Sequence, residues 1–267
     1  MGALPIRIRF VWLAAVTATV LLAGLLTVSS RAHAAEATVG LGSVASYSVL
    51  GGQTVTNTGS STLGGDLGVS PGTAITGFPP GTAAGSTHAA DATAAHAQSD
   101  LVIAFDDAAG RAPTASVAGD LVGRTLTAGV YKSTSTLALT GTVTLDAKGD
   151  PNAVFIFQIA STLTTGSASH VNLINGAQPC NVFWKLDTAT LGTNSTFVGT
   201  ILALTSISVQ TGTTVEGRAL ARNGQVSLDT NTFTTPGCVT TTPTTATPTA
   251  TAASPATPVP QQPAFTG

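Results

Sequence analysis

The sequence predicts a mainly β protein, a β-solenoid with three short strands in each coil and one α-helix lying along it. Three observations support this prediction: the composition, an internal repeat and a single helical segment. Of the 267 residues, 43% are hydrophobic and only 8% are charged, whereas an ordinary globular domain has about 25% charged residues. The many Ala, Gly, Ser, Thr and Val residues suit stacked strands, in which short side chains pack in repeated layers.

The internal repeat is the most informative of these observations. Four segments share the form Ser/Thr–apolar–x–Gly–x–apolar, beginning at Thr62, Ser116, Thr196 and Thr214. The last two lie eighteen positions apart (196 to 214), and their register continues to Ala203 opposite Ala221. Such a period fits one coil of a β-helix. We therefore expect the apolar residues of the four repeats in one inward column: Leu63, Val117, Phe197 and Val215.

One segment, residues 87–109, is predicted to be helical because it lacks Gly and Pro and is rich in Ala. Its apolar residues recur at spacings of three and four, as on one face of a helix: Ala94, Ala97, Leu101, Phe105 and Ala108. Ser86 or Thr87 is the expected N-cap, and Gly110 stands just past the expected end. This isolated helix is interpreted as one insertion that lies along the β body.

The N-terminus, residues 1–34, is predicted to be a secretory signal peptide. Arg7 and Arg9 precede an apolar stretch over 10–28, and Ala-His-Ala at 32–34 offers a cleavage site. Because the apolar stretch approaches the length of a membrane span, an uncleaved anchor is the alternative. Both alternatives place the protein outside the cytoplasm, either secreted or associated with the cell surface.

Residues 35–238 are predicted to form one domain, followed by a disordered Thr/Pro-rich tail at 239–267. Proline fixes φ and removes backbone donors, so this tail cannot form a core. The two cysteines, Cys180 and Cys238, are expected to form a disulfide in an exported protein rather than a metal site. Two unpaired thiols are the alternative. Closing this loop would stabilise the fold by about 4 kcal/mol and hold the last strands in place.

The charges do not indicate a nucleic-acid-binding protein. The formal net charge is −2, and removal of Arg7, Arg9 and Arg31 with the signal peptide leaves 7 basic against 12 acidic residues. The remaining basic residues are scattered singly, whereas a nucleic-acid surface needs clustered Lys and Arg.

The sequence also shows no arrangement that indicates an enzyme, a cofactor or a small-molecule substrate. Asp106 and Asp107 are adjacent but fall at a helix end, and Asp66 and Asp120 recur in the repeat, where turns are the expected role. A glycoside hydrolase would need carboxylates that converge on one face. His88 and His96 lie eight apart without an evident third ligand, so no metal site is predicted.

Seven stretches of the sequence closely resemble the DUF3494 ice-binding family. They lie at 63–72 (LGGDLGVSPG), 77–81 (GFPPG), 88–91 (HAAD), 129–131 (GVY), 150–158 (DPNAVFIFQ), 181–184 (NVFW) and 197–203 (FVGTILA). The resemblance covers about residues 38–238. It implies a discontinuous right-handed β-helix, triangular in section, with a long helix packed along one face. It also implies an antifreeze-type protein whose partner is the surface of an ice crystal.

The ice-binding face of this family often shows the pattern Thr-(Ala/Gly)-x-(Thr/Asn). Residues 211–214 (TGTT) fit this pattern, whereas 193–196 (TNST), one coil earlier, lack the small second residue. The candidates on these two coils are Thr193, Ser195, Thr196, Thr211, Thr213 and Thr214. Strand alternation over 206–210 predicts that Ser206 and Ser208 point outward, which gives a second candidate face.

A cell-surface structural or adhesion module without ice activity is the alternative function. The Thr/Pro tail would hold such a domain away from the cell envelope. The last five residues, 263–267 (PAFTG), resemble a sortase sorting motif but have Pro where Leu is usual. An anchored ice-binding protein would combine both functions as an ice adhesin.

Overall fold

The structure is a computed structural model and describes residues 36–238. The predicted signal peptide and the predicted tail lie outside the described residues. Within the described part, no helix is both long and apolar enough to cross a membrane.

Parallel strands stack into a solenoid with three faces, which confirms the predicted fold class. We number the strands in chain order. The face that the α-helix covers is called the covered face. It contains β1 (Tyr47–Gly51), β4 (Asp66–Val69), β7 (Thr87–Ala89), β8 (Ala115–Ser116), β11 (Gly129–Ser133), β14 (Phe155–Ile159), β17 (Val182–Leu186) and the second halves of β19 (Thr196–Ala203) and β21 (Thr214–Ala221).

A second face is one uninterrupted sheet of eight parallel strands, and we call it the continuous face. It contains β2 (Thr54–Thr58), β5 (Ala74–Thr76), β9 (Gly119–Asp120), β12 (Leu137–Leu139), β15 (Thr162–Thr165), β18 (Thr188–Leu191), β20 (Ile207–Val209) and β22 (Val226–Asp229). Their order across the sheet is β5-β2-β22-β20-β18-β15-β12-β9. Within residues 36–238, no α-helix packs on this face.

The third face is divided, and we call it the split face. It contains β3 (Thr62–Leu63), β6 (Thr82–Ala83), β10 (Thr125–Thr127), β13 (Thr142–Asp146), β16 (His170–Ile174), β23 (Thr232–Thr234) and the first halves of β19 and β21. β16 and β19 pair at one position, His170 opposite Thr196. Beyond that position, the strands diverge.

The order of the coils is discontinuous along the chain. β1 stacks between β21 and β4, so the first strands of the chain extend the solenoid beyond its last coil. The helix α1 (Ala92–Gly110) separates these strands from the coil of β8, β9 and β10, which lies at the other end of the strand order. From there the chain winds back toward β1.

The predicted repeat is confirmed where the coils are regular. β19 and β21 pair at eight positions with the expected offset, from Thr196–Thr214 to Ala203–Ala221. Three of the four predicted inward residues share one column, which also includes Phe233: Leu63, Val215 and Phe197.

The prediction for Val117 was wrong. Val117 is buried but lies between β8 and β9, at the corner between the covered and continuous faces. Gly119 of this repeat leads onto the continuous face, whereas Gly199 and Gly217 lead onto the covered face. The repeat motif therefore marks a corner without specifying which one.

Large aromatic side chains fill the interior at the middle of the solenoid. Tyr131, Phe157 and Trp184 stack in sequence, with ring centroids 5.4 and 4.0 Å apart, and Phe197 follows at 5.2 Å with its ring tilted by 45°. The indole N–H of Trp184 donates to the carbonyl of Val198 at 3.0 Å. These rings belong to the hydrophobic core inside the solenoid.

The helix α1 starts later than predicted, because Thr87–Ala89 pairs with β4 as strand β7. Asp91 is the N-cap in place of Ser86 or Thr87, and its carboxylate accepts from the N–H of Ala94 at 2.8 Å. Gly110 is the last helical residue rather than the residue after the helix. The predicted apolar stripe is confirmed, since all five of its residues are buried: Ala94, Ala97, Leu101, Phe105 and Ala108.

Two short 3-10 helices complete the described structure, Gly42–Ser46 and Pro179–Asn181. The second contains Cys180, which forms the predicted disulfide with Cys238. The residues that follow β23 are thereby attached to the segment between β16 and β17.

Candidate functional site

Small hydroxylated side chains form a column down the continuous face. Strand pairing places seven outward residues side by side on consecutive strands, and we call them the central column: Thr76, Thr56, Ser227, Ser208, Thr190, Thr164 and Ala138. Their neighbours along each strand, such as Val55, Ala189 and Leu163, are buried. The alternation of a β-strand thus separates a hydroxylated surface from an apolar interior.

The hydroxyl groups of the central column are available to water. Within the described residues, none of the six hydroxyls has a hydrogen-bond partner in the protein. Thr56, Thr190, Ser208 and Ser227 are partly buried, while Thr76 and Thr164 are exposed. Because adjacent strands lie about 4.8 Å apart, the column presents these groups at a regular spacing.

A second outward column accompanies the first. Thr162 and Thr188 lie opposite each other and share a hydrogen bond of 2.8 Å between their hydroxyls, and Thr54 lies opposite Ala74. Ser206 extends this column, since its carbonyl accepts from the N–H of Ala189, the residue after Thr188. The exposed Gln225 lies in this column between Ser206 and Thr54. The continuous face is therefore two columns wide, but only the central column consists of small residues throughout.

Among residues 36–238, the carboxylates of the continuous face lie at its borders: Asp120 on β9 ends the central column in register with Ala138, and Asp187 and Asp229 lie beside the corners. Threonine hydroxyls on adjacent coils bind them. Thr140 donates to Asp120 at 2.5 Å, Thr205 donates to Asp187, and Thr211 donates to Asp229. The hydrogen bond from the Thr140 side chain is the main reason why the pKa of Asp120 lies below its ordinary value. From Thr76 to Ala138, the central column contains no charged residue.

Of the candidates predicted from the sequence, Ser206 and Ser208 lie on the continuous face. Thr193 and Thr211 lie at the corner between the continuous and split faces, where they border a shallow depression of about 270 Å³. Their hydroxyls already have partners. Thr193 donates to the side-chain oxygen of Gln210 at 3.4 Å, and Thr211 donates to Asp229.

The structure excludes Ser195 and Thr213 from any ice contact, because both are buried. Their hydroxyls donate to the carbonyl of Gly192, and Ser195 also contacts the hydroxyl of Thr165 at 3.3 Å. They belong to an inward ladder of polar groups that satisfies the backbone at this corner. The Thr-x-x-Thr pattern alone does not distinguish inward from outward hydroxyls.

Thr196 and Thr214 lie on the split face in a register-aligned row of five threonines. We call this row the threonine ridge: Thr82, Thr62, Thr232, Thr214 and Thr196. All five are exposed. His170 and Thr142 follow in the same register beyond the ridge.

The sequence reasoning missed most of both rows. Thr56, Thr76, Thr164, Thr190 and Ser227 were not among the candidates, because their alignment depends on pairing between coils of different lengths. Alternation of Thr with apolar residues, as in residues 54–56 (TVT) and 162–164 (TLT), was the available signal.

Comparison with known proteins agrees with this geometry. The profile of the family described as ice-binding-like matches residues 49–234. The ice-binding protein of Nostoc sp. (strain HG1) is 51% identical over 194 residues, which cover 72% of this chain and 72% of that protein. This chain belongs to the ice-binding-like family.

Solved structures of similar proteins share the fold. An ice-binding protein from an Antarctic biological consortium superposes with a TM-score of 0.74 at 48% identity, covering 75% of this chain and 92% of that one. An ice-binding protein from the ascomycete Antarctomyces psychrotrophicus gives a TM-score of 0.71 at 41% identity, covering 73% and 97%.

In this member of the ice-binding-like family, the carboxylates near the helix form ion pairs and hydrogen bonds within the protein. Asp107 pairs with Arg111 at 2.7 Å, and Asp106 pairs with Arg222 at 3.2 Å. Asp66 accepts from the N–H of Ser86. Among residues 36–238, no group of three or more His, Cys, Asp or Glu side chains is placed to hold a metal ion.

Proposed function

We propose that this chain is an exported protein that binds the surface of ice crystals through its continuous face. The central column carries this proposal. Seven small residues, six of them Thr or Ser, lie in register on adjacent strands without a charge among them. Their hydroxyls have no protein partner within the described residues.

Such a column suits a solid, ordered form of water. Each threonine holds a methyl and a hydroxyl group in a restricted rotamer, so the row presents both groups at a repeated position. The methyl groups order neighbouring water, and the unpartnered hydroxyls bond to it. A charged side chain would instead retain its own hydration shell. Six strand spacings of about 4.8 Å give a column of about 29 Å.

The other two faces fit this role less well. The covered face packs against α1, whose buried residues contact it. The split face divides where β16 and β19 pair at one position, and His170 and the exposed Glu216 interrupt its outward rows. The continuous face combines unbroken pairing with a central column of small residues, and no helix within residues 36–238 covers it.

The relatives support the same function, since proteins named as ice-binding share 51% identity with this chain or superpose on it with a TM-score of 0.74. A role as an enzyme has no support in the described residues. The Cys180–Cys238 disulfide fits an oxidising location. Together with the predicted signal peptide, it supports release from the cytoplasm, with the Thr/Pro tail as the candidate contact with the cell envelope.

Substitution in the central column tests the proposal. Thr190 lies between Thr164 and Ser208, so Thr190→Tyr places a ring above the middle of the column. Tyr is a good strand former, and the fold should persist. We expect the concentration needed to inhibit ice recrystallisation to rise at least about tenfold, which corresponds to a loss of about 1.4 kcal/mol of binding free energy.

The matched control is Ser99→Tyr. Ser99 is an exposed residue of α1, the helix that packs on the covered face, so it lies away from the continuous face. This variant should inhibit recrystallisation as well as the unmodified protein. Full activity of a folded Thr190→Tyr variant would show that the continuous face is not the ice-binding surface. If the unmodified protein did not adsorb to ice, the structural or adhesion module would become the better explanation.

A further inference from the structure

The threonine ridge, like the central column, consists of hydroxylated side chains in register on adjacent parallel strands, but it lies on a different face. Its residues occupy one register position on five adjacent strands of the split face, β6, β3, β23, β21 and β19. Four strand spacings of about 4.8 Å give it a length of about 19 Å. The ridge is therefore a second regular row, shorter than the first.

Strand preference alone does not account for this row. Strands favour Val, Ile, Tyr and Phe as well as Thr, yet all five positions hold Thr. The positions two residues later in the same five segments hold different residues: Ala84, Gly64, Thr234, Glu216 and Val198. The uniformity is thus confined to one column, as expected for a surface that recognises a repeating partner.

The hydroxyls of the ridge are also free to bond outside the protein. Those of Thr62, Thr82, Thr196 and Thr232 have no hydrogen-bond partner among residues 36–238. The hydroxyl of Thr214 makes one long contact, 3.5 Å to the carbonyl of Ser195. By contrast, the corner threonine Thr211 is bound to a carboxylate. Four of the five ridge threonines therefore combine a methyl group with an unpartnered hydroxyl, as the threonines of the central column do.

The two rows lie on different faces of a three-sided solenoid, so one flat crystal surface cannot contact both. We propose that the threonine ridge is a second ice-contacting surface, which adsorbs to ice planes other than those bound by the continuous face. This inference rests on the proposed function. It adds that one molecule recognises two sets of planes, with the ridge the weaker because it is one column wide.

Adsorption of fluorescent fusions to a hemispherical single ice crystal distinguishes the two surfaces, because the labelled patches show which planes are bound. Three proteins are compared: the unmodified full chain, the ridge variant Thr214→Tyr/Thr232→Tyr, and the column variant Thr164→Tyr/Thr190→Tyr. We expect the unmodified protein to label two sets of planes. The ridge variant should lose one set completely and keep the other, and the column variant should show the converse.

A labelling pattern of the ridge variant identical to that of the unmodified protein would overturn the second surface while leaving the proposed function intact. Absence of labelling by the unmodified protein would instead overturn the proposed function. The milder pair Thr214→Ser/Thr232→Ser keeps the hydroxyls and removes the methyl groups, so it tests the ridge without bulk. It should dim the ridge planes alone. Unchanged intensity on those planes would contradict the inference.

Discussion

The continuous face and the threonine ridge use the same residue type in the same kind of register, but their surroundings differ. On the continuous face, two outward columns lie side by side, and Thr56, Thr190 and Ser208 are partly buried. The ridge is a single row, and all five of its threonines are exposed. A neighbouring column thus gives the threonines support and width that the ridge lacks.

The difference arises from how the coils turn. β19 bends onto the covered face at Gly199, whereas β16 leads toward the 3-10 helix Pro179–Asn181. The split face is consequently interrupted after one shared pair of residues. The continuous face keeps its strand pairing across all eight strands of the sheet. A threonine pattern becomes a broad surface only where successive coils keep the same path.

The largest expected effect comes from removal of the disulfide by Cys180→Ser/Cys238→Ser. The two cysteines are 58 residues apart, and opening a loop of this length lowers the free energy of unfolding by about 4 kcal/mol. The disulfide anchors the residues that follow β23. Because β23 carries the ridge residue Thr232, loosening this segment should affect the ridge first. On warming toward the freezing point, we expect adsorption to the ridge planes to weaken more than adsorption through the continuous face. Denaturant unfolding and plane labelling measure the two effects.

Chemical reduction of the unmodified protein is the control for these two substitutions, and it should reproduce the loss of stability. Equal weakening on both sets of planes would contradict a local role of the disulfide at the ridge.

Much of the fold could be predicted from the sequence, because consecutive coils repeat their residues where they touch. The eighteen-residue offset placed all eight pairs of β19 and β21 correctly. The helix stripe was also correct, since the periodicity of a helix is a local property. The position of β1 beyond the last coil could not be predicted from this repeat, because it depends on contacts between segments distant in the chain.

The candidate surface was harder to predict than the fold. The Thr-x-x-Thr pattern at 211–214 combines an inward hydroxyl at Thr213, a carboxylate-bound one at Thr211 and an outward one at Thr214. These three positions differ by one to three residues, and the corner turn decides which way each points. Only the strand pairing shows that Thr214 belongs with Thr62 and Thr232.

The second prediction concerns Gly199, at the corner where β19 passes from the split face, which carries Thr196, to the covered face. Gly199 has φ of +112°, and a Cβ there would lie 2.7 Å from the carbonyl oxygen of Val182 and 2.9 Å from the indole nitrogen of Trp184. Gly199→Ala should therefore destabilise the protein by about 1–3 kcal/mol and weaken the ridge planes more than the other set. Gly110→Ala is the matched control, since a Cβ at Gly110 meets nothing within 4 Å. If both variants unfolded at the same denaturant concentration, the corner would not be under this constraint.

The third prediction compares one methyl group on each surface. Thr56→Ser in the central column and Thr62→Ser in the ridge each keep the hydroxyl and remove a methyl. The transfer free energy of such a group is about 0.8 kcal/mol, which corresponds to a roughly fourfold loss of affinity. Quantitative labelling of single crystals should show this loss on one set of planes for each variant. A loss on both sets from either substitution would mean that the two rows do not act separately.

The smallest expected effect on ice adsorption comes from Asp146, whose ionisation instead makes the stability of the split face beyond the ridge depend on pH. Asp146, at the end of β13, accepts from the ammonium group of Lys148 at 2.7 Å, from the amide of Asn175 at 2.8 Å and from the N–H of Lys148 at 2.8 Å. These contacts, led by the Lys148 side chain, lower the pKa of Asp146 from 3.8 to about 2. Because the folded protein favours the ionised carboxylate, this contribution to stability is complete above about pH 4 and is lost as the pH falls toward about 2.

Asp146→Asn removes the ionised group, so its melting temperature should lie below that of the unmodified protein at neutral pH, and the two should converge near pH 2. Adsorption to both sets of ice planes should be unchanged at neutral pH and low temperature, since Asp146 belongs to neither row. A constant difference in melting temperature across this pH range would show that Asp146 acts through packing rather than charge. A change in the labelled planes would show that the split face recognises ice beyond His170, which would extend the ridge toward Thr142 and reduce its contrast with the continuous face.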